Sequence, residues 1–169
     1  EIPPRILRDF LPQANLKNKK VLIYRDGSFR GQEIEHLLDW GQAINAQFIL
    51  VECSKSRNPR LYNLEEKTLK EPTRCLYLRI SSHEAIVVTT QVPERVGVPQ
   101  PIRLKIRHEG LVVPIENIVD VTLKLTLLHH GSLKDPRIPI PLFGSDRIAY
   151  RRLQGIYPGE LEGDKQYWL

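Results

Sequence analysis

The chain has 169 residues, of which 41% are hydrophobic and 27% are charged, the size and composition of one globular domain. No apolar run approaches the roughly 20 residues of a membrane-spanning helix, so we expect no membrane partner. The formal net charge of +5 favours an anionic partner without identifying it.

The first residues and the cysteines indicate the cellular compartment of the protein. The opening segment EIPPRILRDFL lacks the basic start and apolar middle of a signal peptide. The chain contains no methionine, so we expect a fragment or a processed chain. Cys53 and Cys75 fit no zinc spacing. Because oxidising compartments select for denser cysteine usage, we interpret both as reduced core thiols of a cytoplasmic protein rather than as a disulfide.

The first third of the chain predicts a strand–helix–strand unit. A short helix in PPRILRDFL and a loop in NLKNKK precede the apolar segments KVLIYRD and AQFILVECS, which predict two buried strands. Between the strands, apolar residues recur at helical spacing: Ile34, Leu37, Leu38, Gly41 and Ile44. The charged residues of the same segment are expected mostly to face solvent: Glu33, Glu35, His36 and Asp39. This order predicts that Lys20–Ser54 forms part of a mainly parallel sheet.

The middle of the chain has a different pattern, with short β-branched segments that predict antiparallel strands: RCLYLRI, EAIVVTTQV and PIRLKIRH. The segment NIVDVTLKLTLLHHG alternates like a strand but also has a helical apolar face. Its length, with Pro114 before it and Gly131 within its end, favours a helix.

Prolines and a capping residue organise the last third. We predict that DPRIPIPL is irregular because it contains three prolines. The following GSDRIAYRRLQG predicts a helix with Ser145 as its N-cap, which would place Asp146 in the first turn.

Asp26 is the first candidate for chemistry. It lies where an apolar strand ends, and Gly27 permits backbone angles that a β-carbon disfavours. Ligands bind at the carboxyl edge of parallel strands in α/β folds, and Mg²⁺ or Mn²⁺ prefers oxygen ligands there. The alternative is a turn-forming Asp-Gly pair.

Asp146 is the second candidate. Cations crowd the same stretch of sequence: Lys134, Arg137, Arg147, Arg151 and Arg152. Cations around a carboxylate suit a site that holds both a metal ion and phosphates, whereas the alternatives are a favourable helix dipole and a solvated basic face. His129 and His130 could favour a helix end or contact phosphate, but zinc is not expected without further ligands. A hydrolase elbow, a Walker loop and a dinucleotide fingerprint are all absent from the sequence.

Two segments resemble the PIWI domain of Argonaute proteins. In YRDGSFRGQE, a strand ends in Arg-Asp-Gly and a helix begins near Gly-Gln, as in that family. In LTLLHHGSLKDPRIPIPLFGSDRIAYRRL, a helix, a His-bearing turn, an Ile-Pro-x-Pro segment and a helix led by an acid follow in the family's order. The aromatic-Leu end resembles that of prokaryotic members.

The resemblance implies an α/β fold with a ribonuclease H-like mixed sheet flanked by helices. Residues 1–169 would form one domain, the C-terminal portion of a PIWI domain. The family holds two divalent ions with three or four carboxylates, and Asp26 and Asp146 match its second aspartate and its last position. Its first aspartate and its glutamate lie upstream and find no convincing match in this sequence, so the chain would carry half of a Mg²⁺ or Mn²⁺ site.

The end of the chain resembles the family's pocket for the 5′ phosphate of the guide strand. There the terminal carboxylate, in this sequence that of Leu169, reaches the phosphate through a divalent ion, and Tyr167 and Trp168 would anchor it. Arg151 occupies the family's arginine position on the last helix, and Lys134 matches a basic residue that lies near the first guide phosphates in that family. The alternative is an end that only packs.

The resemblance therefore predicts a segment of a nucleic-acid-guided endonuclease. Its partners would be a guide strand, a complementary target and the remainder of an Argonaute chain. The first alternative is a PIWI module that holds guide and target without cutting. Another nuclease or integrase of the same fold is the second alternative.

Overall fold

A computed structural model of the chain describes residues 1–11, 13–92, 97–128 and 136–157. The described elements, in chain order, are α1 (Pro4–Phe10), α2 (Gln13–Leu16), β1 (Lys20–Asp26), α3 (Glu33–Ala43), β2 (Gln47–Ser54), β3 (Asn63–Glu65), β4 (Thr68–Lys70), β5 (Tyr77–Ser81), β6 (Glu84–Val87), β7 (Ile102–Ile106), α4 (Ile115–Leu127) and α5 (Ile140–Leu153). The predicted first helix, the strand–helix–strand unit, the antiparallel middle strands and the helix α4 are all confirmed. None of the described helices is long and apolar enough to cross a membrane.

The main sheet has the strand order β1-β2-β7-β6-β5, and β3 pairs with β4 in a separate hairpin. Among the described strands of the main sheet, only β1 and β2 run parallel, from Lys20 opposite Gln47 to Asp26 opposite Cys53. The prediction of a mainly parallel sheet was therefore wrong. The helix α3 connects β1 to β2 as a crossover, but a short turn joins β5 to β6, and such turns connect only antiparallel neighbours.

Helices cover the sheet on two sides. On one side, α1 and α3 pack on β1 and β2 through buried residues that include Leu7, Leu37, Phe48 and Leu50. On the other side, α4 and α5 pack on the sheet through a second cluster: Val51, Cys53, Ala85, Val87, Ile102, Leu104, Ile106, Ile115, Ile118, Val119, Ile138 and Leu142. The strand β2 contributes to both clusters because successive side chains point to opposite faces of a sheet.

The helix α5 begins earlier than the sequence predicts. Pro139 lies at its N-cap and Pro141 lies in its first turn, where a missing backbone N–H costs nothing because it would lack an intrahelical acceptor. The hydroxyl of Ser145 donates a hydrogen bond of 2.8 Å to the carbonyl of Pro141 inside the helix. The predicted N-cap at Ser145 was therefore wrong, and Asp146 lies beyond the first turn, where the helix dipole has little effect.

The two cysteines differ in their surroundings. Cys53 is fully buried, and its burial raises the pKa of the thiol to about 12, further supported by the nearby charge of Asp26. Cys75 is exposed and has a positive φ of 70°. Both thiols are free, so the prediction of reduced thiols agrees with the structure. The prediction that both lie in the core is right only for Cys53.

Candidate functional site

Asp26 is the last residue of β1, and its side chain is 40% exposed at the carboxyl end of the strand. Gly27 follows with a positive φ of 74°, and its N–H donates to the carbonyl of Cys53 at 3.0 Å. The chain therefore leaves the sheet at Gly27 and turns toward α3. Strand pairing fixes the backbone of Asp26, while its carboxylate remains accessible.

The structure brings Asp26 and Asp146 together around a single ammonium group. The Nζ atom of Lys55 lies 2.8 Å from Oδ2 of Asp26 and 2.6 Å from Oδ2 of Asp146. Lys55 follows β2 directly, and α5 carries Asp146, so three separate segments meet at this edge of the sheet. We call these three residues the carboxylate–lysine cluster.

Lys55 compensates the repulsion between the two carboxylates. Burial opposes the charge on Lys55, but its hydrogen bonds to Asp146 and Asp26 outweigh that effect, and the pKa of the ammonium is raised. The ammonium therefore stays charged at neutral pH. One positive charge between two negative ones offsets the Coulomb repulsion between them at close range.

Sequence reasoning did not find Lys55. A signal for it was present, because the parallel pairing of β1 with β2 places the ends of both strands side by side. The first residue after β2 must then lie near the last residue of β1. That argument gives the position of Lys55, but its contact with Asp146 requires the docking of α5.

The chemistry of the cluster fits Mg²⁺ or Mn²⁺ in part. Carboxylate oxygens are the ligands these hard ions prefer, and Asp26 and Asp146 present two of them near one point. Within the described ranges of the chain, however, no group of three or more His, Cys, Asp or Glu side chains is arranged to hold a metal ion. The cluster supplies the right donor type but too few donors for a complete site.

Glu33 organises the turn that follows Asp26. Its side chain is only 1% exposed, and its two carboxylate oxygens accept hydrogen bonds from Nε of Arg25 at 3.0 Å, from the N–H of Arg30 at 3.1 Å and from the N–H of Ile2 at 2.9 Å. Burial alone would raise the pKa of Glu33, but these bonds outweigh it and the pKa is lowered. The prediction that Glu33 faces solvent was therefore wrong. Helical spacing considers only the helix itself and does not show that N–H groups of the preceding turn need a hydrogen-bond acceptor.

Arg25 connects this buried carboxylate to the cluster. Its Nε binds Glu33, while its Nη1 donates to the backbone carbonyl of Asp26 at 3.0 Å. The guanidinium is planar and rigid, so fixing one end with Glu33 also fixes the other. Glu33 and Arg25 thus position the backbone that carries the Asp26 carboxylate.

The cations predicted around Asp146 have separate partners. Arg137 donates to Oε1 of Gln100 at 2.6 Å, Arg147 lies over the ring of Phe143 and Arg152 lies over the ring of Tyr157. Arg151 is described, in the last turn of α5. In the described part of the chain, the cation paired with Asp146 is Lys55.

Several residues that the sequence singled out lie outside the described residues: His129, His130, Lys134, Tyr167, Trp168 and Leu169. Of the predicted guide-phosphate pocket, the structure therefore describes Arg151 alone.

Comparison with known proteins places this geometry in context. No protein-family model matches the sequence. The Argonaute protein of Aquifex aeolicus is 30% identical over 153 residues, which cover 90% of this chain and 20% of that protein. The chain thus spans about a fifth of the length of this relative.

Solved Argonaute structures have the same fold. A structure of Aquifex aeolicus Argonaute with externally bound siRNA is 27% identical with a TM-score of 0.78, and the match covers 98% of this chain and 23% of that one. Clostridium butyricum Argonaute bound to a guide DNA and a 19-mer target DNA also has a TM-score of 0.78, at 21% identity, covering 89% of this chain and 21% of that one. The predicted α/β fold, with a ribonuclease H-like mixed sheet flanked by helices, is confirmed.

Proposed function

We propose that this chain, a partial Argonaute with a PIWI-like fold, supplies half of the two-metal carboxylate site of a nucleic-acid-guided endonuclease. Residues 1–169 would be the C-terminal portion of the PIWI domain, with the remaining carboxylates on other parts of a cytoplasmic protein. The guide strand and the complementary target are the proposed partners. The observation that carries the proposal is the meeting of Asp26 and Asp146 at Lys55 Nζ, at 2.8 and 2.6 Å.

The proposed cofactor is Mg²⁺ or Mn²⁺, with Asp26 and Asp146 as two of its ligands. When bound, such ions activate water and stabilise the leaving oxygen in phosphodiester hydrolysis. The chain's own residues prepare the site for this. Lys55 holds the two carboxylates near one point and offsets their repulsion, and the Glu33–Arg25 pair fixes the turn behind Asp26.

The isolated segment should show no nuclease activity. Two-metal catalysis needs enough oxygen ligands to fix both ions, and two aspartates leave an incomplete set. The purified 169-residue chain, incubated with Mn²⁺, guide and labelled target, should leave the target intact. Strong metal-dependent cutting that is lost in Asp26→Asn would mean that the chain contains further ligands.

We also propose that Arg151, Lys134 and the carboxylate of Leu169, itself a proposed metal ligand, bind the 5′ phosphate of the guide. Arg151 lies in the last turn of α5, and a guanidinium can contact phosphate with two hydrogen bonds. In the complete protein, Arg151→Ala should weaken binding of a 5′-phosphorylated guide by roughly 10- to 150-fold, the effect of losing about 1.5–3 kcal/mol of charged hydrogen bonds. Binding of a 5′-hydroxyl guide should change little.

Two further variants sharpen this test. Appending a few residues after Leu169 should have the same selective effect, because it moves the terminal carboxylate. Arg152→Ala is the matched control on the same helix, since its guanidinium lies over Tyr157. Equal losses for phosphorylated and hydroxyl guides would exclude Arg151 and the chain end from recognition of the phosphate.

The alternative function is a PIWI module that holds guide and target without cutting. It is favoured by one observation, the Lys55 ammonium between the two carboxylates, because a cation already neutralises part of the charge that would attract a metal ion. Cleavage assays on Asp26 variants separate the two functions.

A further inference from the structure

Glu52 is a buried carboxylate for which the proposed metal site gives no role. It lies in β2 and is 8% exposed. Phe48 and Leu50, at alternate positions before it, pack into the core cluster under α1 and α3, so Glu52 points to that side of the sheet. Asp26 lies opposite Cys53, whose side chain packs under α4 and α5. The carboxylates of Glu52 and Asp26 therefore lie on opposite faces of the sheet.

The contacts of Glu52 explain why a strand rich in apolar residues keeps a charge. Burial of an ionised group is costly unless the group is paired. The Oε1 atom of Glu52 accepts a hydrogen bond from the N–H of Phe29 at 3.1 Å and lies 3.6 Å from Nη1 of Arg107. Arg107 also pairs with Glu109. For the N–H of Phe29, by contrast, Glu52 is the acceptor within the described residues, so this bond is the contact that depends on Glu52 alone.

The bond to Phe29 holds the turn that follows Asp26. Gly27 begins this turn with a φ of 74°, and among the described residues beyond its chain neighbours no atom lies within 4 Å of the place that a Cβ would take. A glycine without such contacts does not fix the direction of the chain, so the turn needs restraints from elsewhere. Its N–H groups provide them, because Gly27 donates to the carbonyl of Cys53 at 3.0 Å and Phe29 donates to Glu52. Two consecutive residues of β2 thus hold the turn at two points.

The strand that holds this turn also carries the lysine beside Asp26. Lys55 follows β2 directly, and its Nζ atom lies 2.8 Å from Oδ2 of Asp26. Attaching the turn to β2 at Phe29 therefore restrains the position of Asp26 relative to Lys55. Without the Glu52 carboxylate, the turn would keep only the bond of Gly27 to β2 and would be free to rotate about that glycine.

We propose that Glu52 is a positioning residue for Asp26, which orients the Asp26 carboxylate for metal binding by fixing the turn behind it. The inference rests on the proposed metal site and extends it to a residue on the other face of the sheet. Glu33 and Arg25 hold the α3 end of the same turn, and Glu52 supplies the β2 end. Groups that orient metal ligands in this way typically contribute roughly 10- to 100-fold to metal affinity.

The experiment compares two variants of Glu52 in the complete protein. Glutamine has nearly the same shape and keeps an oxygen that can accept from Phe29, whereas leucine fills similar space without an acceptor. Mn²⁺ binding is measured by electron paramagnetic resonance in the absence of guide and target. Glu52→Leu should weaken Mn²⁺ binding roughly 10-fold or more, while Glu52→Gln should stay close to wild type.

A control variant separates positioning from the loss of a charge on the sheet. Glu84 is a carboxylate of β6 in the same sheet, and its side chain is 14% exposed against 10% for Glu52. Its partner is Arg103 on β7. Glu84→Leu therefore makes the same chemical change two strands away from β2 and should leave Mn²⁺ affinity near that of wild type.

Hydrogen exchange tests the bond itself and shows that the variants are folded. Mass spectrometry on peptides that contain residues 27–29 should detect exchange at the Phe29 amide that is roughly 10-fold faster in Glu52→Leu, because a bond to a charged acceptor is lost. Glu52→Gln should exchange nearly as slowly as wild type. Protection of α4, which packs on the other side of the sheet, should persist in all variants.

Each outcome points either to Glu52 or to the metal site itself. The inference is wrong if Glu52→Leu binds Mn²⁺ as tightly as Glu84→Leu, or if the Phe29 amide of Glu52→Leu exchanges at the wild-type rate. It is also wrong if Glu52→Gln loses as much affinity as Glu52→Leu, because the charge and not the acceptor would then matter. If Asp26→Asn leaves Mn²⁺ binding unchanged, the proposed metal site fails, and the role of Glu52 fails with it.

Discussion

Replacing Asp26 by Asn in the complete protein should lower target cleavage by roughly 10³-fold or more and leave guide binding nearly unchanged. The amide has almost the same shape as the carboxylate, so the strand end and the turn at Gly27 should persist. It lacks the negative charge, however, and would bind Mg²⁺ or Mn²⁺ poorly. Single-turnover cleavage of a labelled target, with guide affinity measured in parallel, checks the prediction.

Two further variants make the result specific. Asp146→Asn should act in the same direction, because both carboxylates meet at Lys55. Glu65→Gln is the control, since it changes an exposed carboxylate that pairs with Lys70 on the β3–β4 hairpin. Cleavage by Asp26→Asn at the wild-type rate would remove Asp26 from the mechanism, whereas a wild-type protein that binds guide and target but does not cleave would favour the non-cleaving module.

Local sequence patterns predicted the position of Asp26, because that position depends on the strand β1 and the residue after it. The apolar run before Asp26 and the freedom of Gly27 are properties of neighbouring residues, so the strand end was predictable. The start of α5 was not, because Ser145 is a good capping residue in isolation. Buried contacts of Ile138 and Leu142 draw the proline segment against the sheet, and the helix begins there instead.

Residues whose roles depend on contacts between several segments were not predicted from the sequence. Lys55 is one of many lysines in the sequence, and only the docking of α5 on the sheet edge gives it two carboxylate partners. Glu33 follows the same rule. Its sequence pattern is that of a surface residue, but its carboxylate accepts four hydrogen bonds. The donors are the N–H of Ile2, Nε and Nη2 of Arg25, and the N–H of Arg30 in its own turn. Sequence periodicity predicts the direction of a side chain, but it does not predict which hydrogen-bond donors from other segments lie near it.

Replacing Glu33 by Ala should loosen the turn behind Asp26. The change leaves the Arg25 guanidinium and the N–H groups of Arg30 and Ile2 without their acceptor in a partly buried place, which costs about 2 kcal/mol. Native-state hydrogen exchange in the complete protein measures this locally, because the free energy of opening around Arg30 should fall by that amount. Glu35→Ala is the matched control, since Glu35 lies in the same first turn of α3 and is exposed.

The effect of Glu33→Ala should also depend on pH in a defined direction. The pKa of Glu33 is lowered in the folded protein from its ordinary value of 4.5, so the folded state favours the ionised carboxylate. Its contribution to stability is therefore fully present above pH 4.5 and is lost as the pH falls through the lowered folded pKa. The difference in opening free energy between wild type and Glu33→Ala should be constant near neutral pH and shrink in acid. A difference that stays constant down to the acid range would mean that the Glu33 charge does not hold the turn, and that the side chain acts there only by filling space.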